Sequence, residues 1–457
     1  MLLGLYALII LGTIDHFGVG AEIAQEELID EVFSNVMNNA REMFVELKQR
    51  NEAAQLQNRN VMKQMRVPFK IWDLRTLSEP NFHKFAHAAL ISVAAAKELK
   101  INGIESANSL SAVLKHIHKY CPLHEIECAI NKYRTVDGTC NNLFHPHWGA
   151  NGSPMQRVIA PFYANGIDEL RVSIVDNSEL PNVRHLSNLF FAKKYPPTLK
   201  VNMLNALWAH FVYTDLVQIE SLQLFNENEQ ISLPCCAPEI RQHPECKSIA
   251  VPKSDQSYGT FLNCIPYIRS APAPRPNCEL GSREQANQIT SFLDGSVIYG
   301  STVERARELR AFKNGHLLTS SDPLNQNLPP TINSLCSFLK NAAECDLNSL
   351  IGGSDHVNFL PFAFLLHAIW IRQHNRIATN LMTVNPHWSD EELYQESRRI
   401  VIAQLQHITY NEFLPILVGK ENWLKYELKP KSDGYGKRYD GKVDATVINT
   451  YAAIAGQ

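Results

Sequence analysis

The chain of 457 residues carries 43 Lys and Arg residues against 46 Asp and Glu residues, a formal net charge of −3. Hydrophobic residues make up 45% of the chain and charged residues 19%, so it has enough apolar material for a buried core and is not globally disordered. The near-neutral balance argues against a nucleic-acid-binding role, which would need a broad basic face.

The N-terminus is apolar. Residues 2–14 form one hydrophobic run, which is shorter than the roughly 20 residues that a membrane-spanning helix needs. Small residues follow at Gly18 to Ala21. We interpret residues 1–20 as a secretory signal peptide, with an uncleaved N-terminal anchor as the alternative. Since no later segment is apolar enough to span a membrane, we expect a secreted, extracellular protein.

Helical patterns come next. Neither Gly nor Pro occurs from Ala21 to Val67, and apolar residues recur there at steps of three and four, which indicates an amphipathic helix. A second, Ala-rich helix is predicted over Phe85 to Leu99. We therefore predict that residues 21–120 form a helical N-terminal region that resembles a pro-segment.

The cysteines begin only after this region. Their number is even, and no pair has the C-x-x-C spacing of zinc or thioredoxin-like sites. In the oxidising compartment implied by a signal peptide, they predict up to five disulfides. The ten residues are Cys121, Cys128, Cys140, Cys235, Cys236, Cys246, Cys264, Cys278, Cys336 and Cys345.

After Cys121 the chain is rich in Cys, Pro and Gly, with helices between the loops. Ser389 to Glu392 has the pattern of a capping box, and the following apolar residues keep a helical period as far as Ile408. Alternating patterns typical of strands are scarce. The sequence therefore predicts a mainly α, loop-rich and disulfide cross-linked domain over residues 121–457.

Three segments contain the residue types that chemistry needs: residues 208–216, 290–296 and 352–376. In the first, His210 and Thr214 are four residues apart and share one face of a predicted helix. The second alternates hydroxyl and carboxylate side chains. The third contains three histidines and two arginines.

Residues 283–301 (REQANQITSFLDGSVIYGS) resemble the calcium-loop motif of the animal haem peroxidases of the myeloperoxidase and peroxidasin type. Residues 133–149 resemble the start of that domain, and residues 370–410 resemble its middle. The resemblance extends from about Cys128 to Gln457. It implies a mainly helical, partial animal haem peroxidase domain, similar to those of secreted arthropod peroxidases.

Active members of this family place a Trp-Gly-Gln-Phe-x-Asp-His-Asp segment over the haem. The resemblance puts Tyr213 at the first Asp, which forms a haem ester, and Thr214 at the His, which moves a proton between the peroxide oxygens. Threonine has no useful acid–base capacity near neutral pH. His210 stands at the Gln position, so it is a possible substitute base.

The family also has an Arg and, three residues later, a Glu before its Arg-x-His-Asn helix. Here these positions are His356 and Phe359. His356 lacks the fixed charge and planar fork of Arg, and Phe359 cannot form the second haem ester. The proximal His would fall just beyond Gln457. The resemblance thus implies haem for the family, but these positions predict that this chain has lost the chemistry.

The calcium motif is retained. The resemblance implies five ligand positions, which combine two carboxylates with hydroxyl groups and one backbone carbonyl, a set that suits Ca²⁺. The alternative is an Asx turn at Asp294 and a solvated Asp215. The five positions are Asp215, Thr290, Phe292 (through its carbonyl), Asp294 and Ser296.

We therefore expect a secreted, calcium-binding and catalytically degraded member of the family, with a binding or structural role and an extracellular partner that the residues do not name. The alternative is an active haem peroxidase that oxidises phenols or halides with H₂O₂, using His210 and His356 as a relocated base.

Overall fold

The computed structural model describes most of the chain after residue 125 and parts of the chain before it. Residues 1–20, Cys121, Cys336, Cys345 and Phe359 lie outside the described residues. The described residues are 34–42, 45, 80–101, 126–191, 201–219, 224–226, 229–231, 235–236, 243–320, 328–330, 350–358, 363–434, 436 and 439–455.

The described part is mainly helical, which confirms the predicted fold class. Residues 34–42 are also helical, within the stretch predicted as the first amphipathic helix. The α-helices are α1 (Pro80–Ile101), α2 (Val183–Phe191), α3 (Met203–Leu216), α4 (Ser296–Tyr299), α5 (Val303–Glu308), α6 (Ala363–Val384), α7 (Asp390–Ile408), α8 (Leu414–Leu417) and α9 (Lys420–Lys425).

Among the described residues strands are few and short, as the sequence predicted. They form three separate antiparallel pairs: β1 (Leu224–Asn226) with β2 (Glu229–Ile231), β3 (Ile249–Ala250) with β4 (Cys264–Ile265), and β5 (Pro272–Ala273) with β6 (Glu284–Gln285). Short 3₁₀ turns at Pro276–Cys278 and Asp355–Asn358 and π-helical turns at Thr409–Phe413 and Tyr451–Ala455 complete the regular structure.

The chain divides into two compact units, each assembled from three separate stretches. The first unit comprises Met1–Glu125, Arg157–Pro196 and Ile219–Ala286. The second comprises Ile126–Gln156, Pro197–Gln218 and Asn287–Gln457. All the described candidate site residues belong to the second unit.

In the first unit, α1 packs through a small apolar face. Ala95 and Leu99 of α1 are buried in one cluster with Cys278 and Leu280. Its Ala-rich composition permits this close packing, because an alanine adds little bulk to a helix surface. The observed helix contains the predicted span from Phe85 to Leu99 and extends beyond it at both ends.

In the second unit, α3, α6 and α7 surround the main core. Trp208 of α3 and Trp370 of α6 pack with ring centroids 6.1 Å apart, and Leu405 of α7 is buried in the same cluster. The predicted capping box begins α7: the Ser389 hydroxyl accepts from the Glu392 amide, and the Glu392 carboxylate accepts from the Ser389 amide. This core fixes the helix that carries the candidate site.

Each unit contains disulfides of its own. Cys128–Cys140 lies in the second unit, and Cys235–Cys246 and Cys236–Cys264 lie in the first. Cys278 is also disulfide-bonded, and none of the described cysteines is free. The predicted cross-linking is thus confirmed for these residues. Among the described helices, none is both long and apolar enough to cross a membrane.

Candidate functional site

Helix α3 sets the position of the first candidate ligand. The Asn202 side chain caps its N-terminus by accepting a hydrogen bond from the Asn205 amide. The helix ends at Leu216 because Val217 adopts an extended backbone. Asp215 therefore lies in the last turn, where its side chain is only 2% exposed.

The loop of residues 290–296 supplies the second carboxylate. Thr290 Oγ1 lies 2.9 Å from both carboxylate oxygens of Asp294, and the Ser296 amide donates to Asp294 Oδ1 at 3.1 Å. Gly295 follows with φ +72°, in the left-handed region that favours glycine. This turn directs the chain into α4.

The structure brings helix α3 and this loop together across 80 residues of sequence. Asp215 accepts hydrogen bonds from the Gly295 amide at 3.2 Å and from the Val297 amide at 3.1 Å. Ser296 Oγ lies 2.9 Å from the Asp215 carbonyl oxygen and 3.1 Å from its carboxylate. The carboxylate and hydroxyl side chains that the sequence singled out therefore meet at one place.

Phe292 holds the same loop against its neighbours. A Cβ atom added at Gly149, whose φ is +73°, would stand only 2.8 Å from the Phe292 ring. The Ser291 amide donates to the Gly149 carbonyl at 2.8 Å, and Ser291 Oγ accepts from the Val447 amide at 3.1 Å. These contacts fix the backbone at Phe292, whose carbonyl is the remaining ligand candidate.

The electrostatics of the carboxylate pair favour a bound cation. Burial raises the pKa of both Asp215 and Asp294, and the charge of Asp294 raises the pKa of Asp215 further. Arg398, itself buried, offsets this only in part by lowering the pKa of Asp294. Two carboxylates, two hydroxyls and a carbonyl match the oxygen ligands that Ca²⁺ takes, so these residues fit the ion.

Among the described residues, no three or more His, Cys, Asp or Glu side chains form a group that could hold a metal ion. The set contains only two carboxylates, Asp215 and Asp294. Calcium binding therefore stays a prediction here, supported by the geometry and charge of the pair.

The residue at the distal His position is bonded within its own helix. Thr214 is buried, and its Oγ1 donates to the Phe211 carbonyl at 3.0 Å. The only proton of the hydroxyl is thereby committed to the backbone one turn earlier. Thr214 cannot act as a proton shuttle in this arrangement.

Tyr213, at a haem-ester position, is hydrogen-bonded to another part of the same chain. Its hydroxyl donates to the Ala452 carbonyl at 3.0 Å, and its ring lies 5.8 Å from that of Tyr451. Burial raises the pKa of Tyr213, so the phenol stays protonated. The face of α3 at this position is occupied by protein atoms.

His356, at the position of the catalytic Arg, is an uncharged imidazole. Its Nδ1 lies 2.9 Å from Ser354 Oγ, which donates to Gln218 Oε1 at 2.9 Å. Since the Ser354 proton goes to Gln218, His356 Nδ1 donates and Nε2 keeps its lone pair. Burial, with a smaller contribution from the nearby His210 and His367, lowers the pKa of His356 to about 4. His356 therefore cannot replace the fixed positive charge of Arg at neutral pH.

His210 lies beside His356, with the two ring centroids 6.3 Å apart. Burial lowers its pKa as well, so both imidazoles are neutral near pH 7. The structure thus brings together the two histidines that the alternative hypothesis requires. Phe359 lies outside the described residues, so its predicted position has no structural test.

Three residues that shape the candidate site were not predicted from the sequence. Gln218 and Ser354 orient His356, and Arg398 lies close enough to act on the charge of Asp294. Ser354 is only two residues from His356, but Gln218, which accepts its hydroxyl proton, lies 136 residues away, and Arg398 is likewise far from Asp294 in the sequence. No local pattern marks such a contact.

These features define a class of protein: a helical, disulfide cross-linked domain in which a helix end and a loop meet at a buried carboxylate pair. The family model of the animal haem peroxidases matches residues 133–457. This match covers more than half of the chain. The chain therefore belongs to the animal haem peroxidase family, which confirms the resemblance.

Matches to individual relatives support this family membership. The chain is 36% identical over 338 residues to the chorion peroxidase of Aedes aegypti, a match that covers 71% of this chain and 41% of the relative. It is 32% identical over 353 residues to a peroxidase of Drosophila melanogaster, covering 73% of this chain and 49% of the relative. The chain thus spans less than half the length of these curated relatives.

A solved structure supports the fold. The chain matches peroxidase A of Dictyostelium discoideum with a TM-score of 0.54 and 24% identity, over 71% of this chain and 58% of that one. At this level of identity the likeness concerns the fold alone. It agrees with the predicted mainly helical peroxidase architecture.

Proposed function

We propose that this chain is a secreted, calcium-binding member of the animal haem peroxidase family that has lost peroxidase chemistry and serves an extracellular binding or structural role. The observation that carries the proposal is the convergence of Asp215 and Asp294, two buried carboxylates from segments 79 positions apart. Calcium would hold these segments together, with Thr290, Ser296 and the Phe292 carbonyl as further ligands.

The loss of catalysis is supported by the chemistry of two positions. Peroxide cleavage needs a base near neutral pKa and a fixed positive charge beside the departing oxygen. Thr214 supplies no base because an alcohol oxygen has no useful basicity near neutral pH. Its hydroxyl proton is donated to the Phe211 carbonyl. His356 supplies no charge because burial keeps it neutral.

The residues present do not fit the haem roles that the family implies. Tyr213 replaces an ester-forming carboxylate and bonds to Ala452, and Phe359 replaces the other. Neither side chain can form the covalent attachment.

Secretion is supported by two features. Disulfides such as Cys236–Cys264 persist in oxidising compartments and are rare in the cytosol. The apolar run at residues 2–14 has the length of a signal-peptide core. Both features agree with an extracellular function.

Thermal unfolding tests the calcium proposal. EDTA should lower the melting temperature, and Ca²⁺ should restore it better than Mg²⁺, which requires near-octahedral geometry. Asp294→Ala should abolish the Ca²⁺ response. Identical melting curves in EDTA and in excess Ca²⁺ would reject the site.

A second function is favoured by one observation, the proximity of His210 to His356. In that case the chain is an active peroxidase that oxidises phenols or halides with H₂O₂, and the pair of neutral imidazoles moves the proton. Dye oxidation by protein expressed with a haem supply decides between the two. Turnover that is lost in His356→Ala and kept in His387→Ala, an exposed control, would support this function. Background activity in all three proteins supports the primary proposal.

A further inference from the structure

Arg398 is a buried arginine beside the proposed calcium site, and it is only 3% exposed. Its two terminal nitrogens donate to the backbone carbonyls of Arg134 at 3.2 Å and Thr135 at 3.4 Å. Within the part of the chain that the structure describes, Arg398 forms no ion pair with a carboxylate, and its Nε has no hydrogen-bond partner. A buried guanidinium in this state is costly unless the field of nearby anions stabilises it.

Two sets of contacts place Arg398 next to the loop that supplies the second carboxylate. Its guanidinium carbon lies 5.7 Å from the centroid of the Tyr299 ring, and a Cβ atom added at Gly295, in that loop, would stand 3.0 Å from the same ring. The backbone segment whose carbonyls Arg398 binds continues to Gly138, where an added Cβ atom would lie 3.0 Å from the Thr290 side chain. Arg398 is therefore packed close to the proposed ligands from two directions.

The charge of Arg398 acts on the carboxylate pair. Burial raises the pKa of Asp294, and the charge of Arg398 is the strongest effect in the opposite direction. Three other buried side chains that this charge reaches, Tyr299, Tyr394 and His374, are uncharged, because burial raises the pKa of both tyrosines and lowers that of the histidine. They do not neutralise the guanidinium, so its field extends to the site through an interior of low effective dielectric constant.

We propose that Arg398 is a fixed counter-charge that lowers the affinity of this site for cations, and lowers it more for a cation of higher charge. The proposal rests on the calcium-binding function proposed above. Asp215 and Asp294 carry two negative charges when ionised, and Arg398 reduces the net charge of the three residues to one. Calcium must therefore bind against the repulsion of a buried cation, and the charge around a calcium site is one of the properties that set its affinity.

The alternative role for Arg398 is to hold the backbone at Arg134 and Thr135 in place. The two roles predict changes of opposite sign. Loss of a backbone contact would loosen the site and lower its affinity for calcium, whereas loss of a counter-charge would raise that affinity. The two hydrogen bonds, at 3.2 and 3.4 Å, are longer than the usual value of about 2.9 Å, which favours the role of the charge.

Calcium titration of three variants, followed by isothermal calorimetry, tests the proposal. Arg398→Met removes the charge and keeps a long unbranched side chain, and it should raise the affinity for calcium about tenfold. Arg398→Lys keeps the charge and loses the planar fork, so its affinity should stay within a few-fold of the wild type. Arg399→Met is the matched control, because Arg399 is the next residue of the same helix, its side chain is 55% exposed and its charge is screened by solvent.

Trivalent terbium measures the effect of charge separately from any effect on the shape of the site. Because Coulomb repulsion is proportional to the charge of the ion, a tenfold gain for Ca²⁺ corresponds to a gain of about 30-fold for Tb³⁺. Displacement of Ca²⁺ by Tb³⁺, followed by terbium luminescence, should therefore need about three times less Tb³⁺ in Arg398→Met than in the wild type. The site stays occupied throughout this titration, so a variant that needs the ion in order to fold can still be measured.

Lower calcium affinity in both Arg398 variants would show that the residue only holds the backbone, and would overturn the proposal. An unchanged ratio of terbium to calcium affinity in Arg398→Met would also overturn it, since the loss of a nearby positive charge must favour the trivalent ion. Wild-type protein that binds neither ion would reject the calcium function itself and this inference with it. Wild-type binding that Arg398→Met leaves unaltered would reject this inference alone.

Discussion

The burial of the carboxylate pair predicts the direction in which Asp294→Asn changes the melting temperature, both without and with calcium. The structure favours Asn at this position because its Oδ1 can still accept from the Ser296 amide. Its amide nitrogen can donate to Thr290 Oγ1, since a hydroxyl both donates and accepts. The substitution therefore removes one negative charge and leaves the hydrogen bonds in place.

The size of the change in stability follows from the burial of Asp294. Burial raises the pKa of Asp294 from 3.8 to about 6. Keeping this group ionised at pH 7.5 without a cation thus costs the folded state roughly 3 kcal/mol. In EDTA the variant should unfold at a higher temperature than the wild type, by about 5 °C. In calcium at about 1,000 times Kd the order should reverse, because only the wild type gains about 4.1 kcal/mol from binding, which exceeds the cost of keeping Asp294 ionised.

Differential scanning calorimetry at pH 7.5, in EDTA and in excess Ca²⁺, measures both effects. Asp433→Asn is the matched control, since Asp433 is exposed and should show the wild-type response to calcium. Mass spectrometry should confirm that the asparagine introduced by Asp294→Asn, which precedes Gly295, has not deamidated. A lower melting temperature than the wild type in EDTA, or a calcium shift that persists in Asp294→Asn, would refute the reasoning.

Four further outcomes are expected. Folding raises the pKa of both buried carboxylates. In EDTA their contribution to stability is therefore full below about pH 4 and is lost as the pH rises through the pKa values of the folded state. The increase in melting temperature that calcium causes should accordingly grow from pH 5 to pH 7.5. Thr214→His alone should leave H₂O₂-dependent dye oxidation at background, since the charge at position 356 is still absent. Tyr299→Phe should cost about 1–3 kcal/mol in denaturant unfolding, because the hydroxyl lies 2.9 Å from the Nδ1 of the buried His374. Gly149→Ala should lower the melting temperature by several degrees through the clash with the Phe292 ring, and an unchanged value would show that the loop can move aside.

Much of the helical framework could be predicted from local sequence. The Ala-rich run from Phe85 to Leu99 lies within α1, and the Ser389–Glu392 capping box begins α7 as expected. Both signals depend on neighbours within four residues, so they need no knowledge of the fold. The predicted ligand positions from Thr290 to Ser296, by contrast, came from the resemblance to the family's calcium-loop motif.

The state of the candidate site could not be predicted in this way. The hydroxyl of Tyr213 bonds to Ala452, 239 residues later, and Gln218 orients His356 through Ser354. The neutral state of His356 depends on burial, which only the assembled second unit defines. Sequence identified which residue types were substituted, and packing determined their hydrogen bonds and charge.

Elemental analysis of the purified protein tests whether the chain binds calcium and lacks haem. Inductively coupled plasma mass spectrometry, after gel filtration in calcium-containing buffer and exchange into metal-free buffer, counts calcium and iron per chain in one measurement. We expect about one calcium ion per chain, lost in Asp294→Asn, and far less than one iron atom per chain. Stoichiometric iron, or calcium no higher in the wild type than in Asp294→Asn, would contradict it.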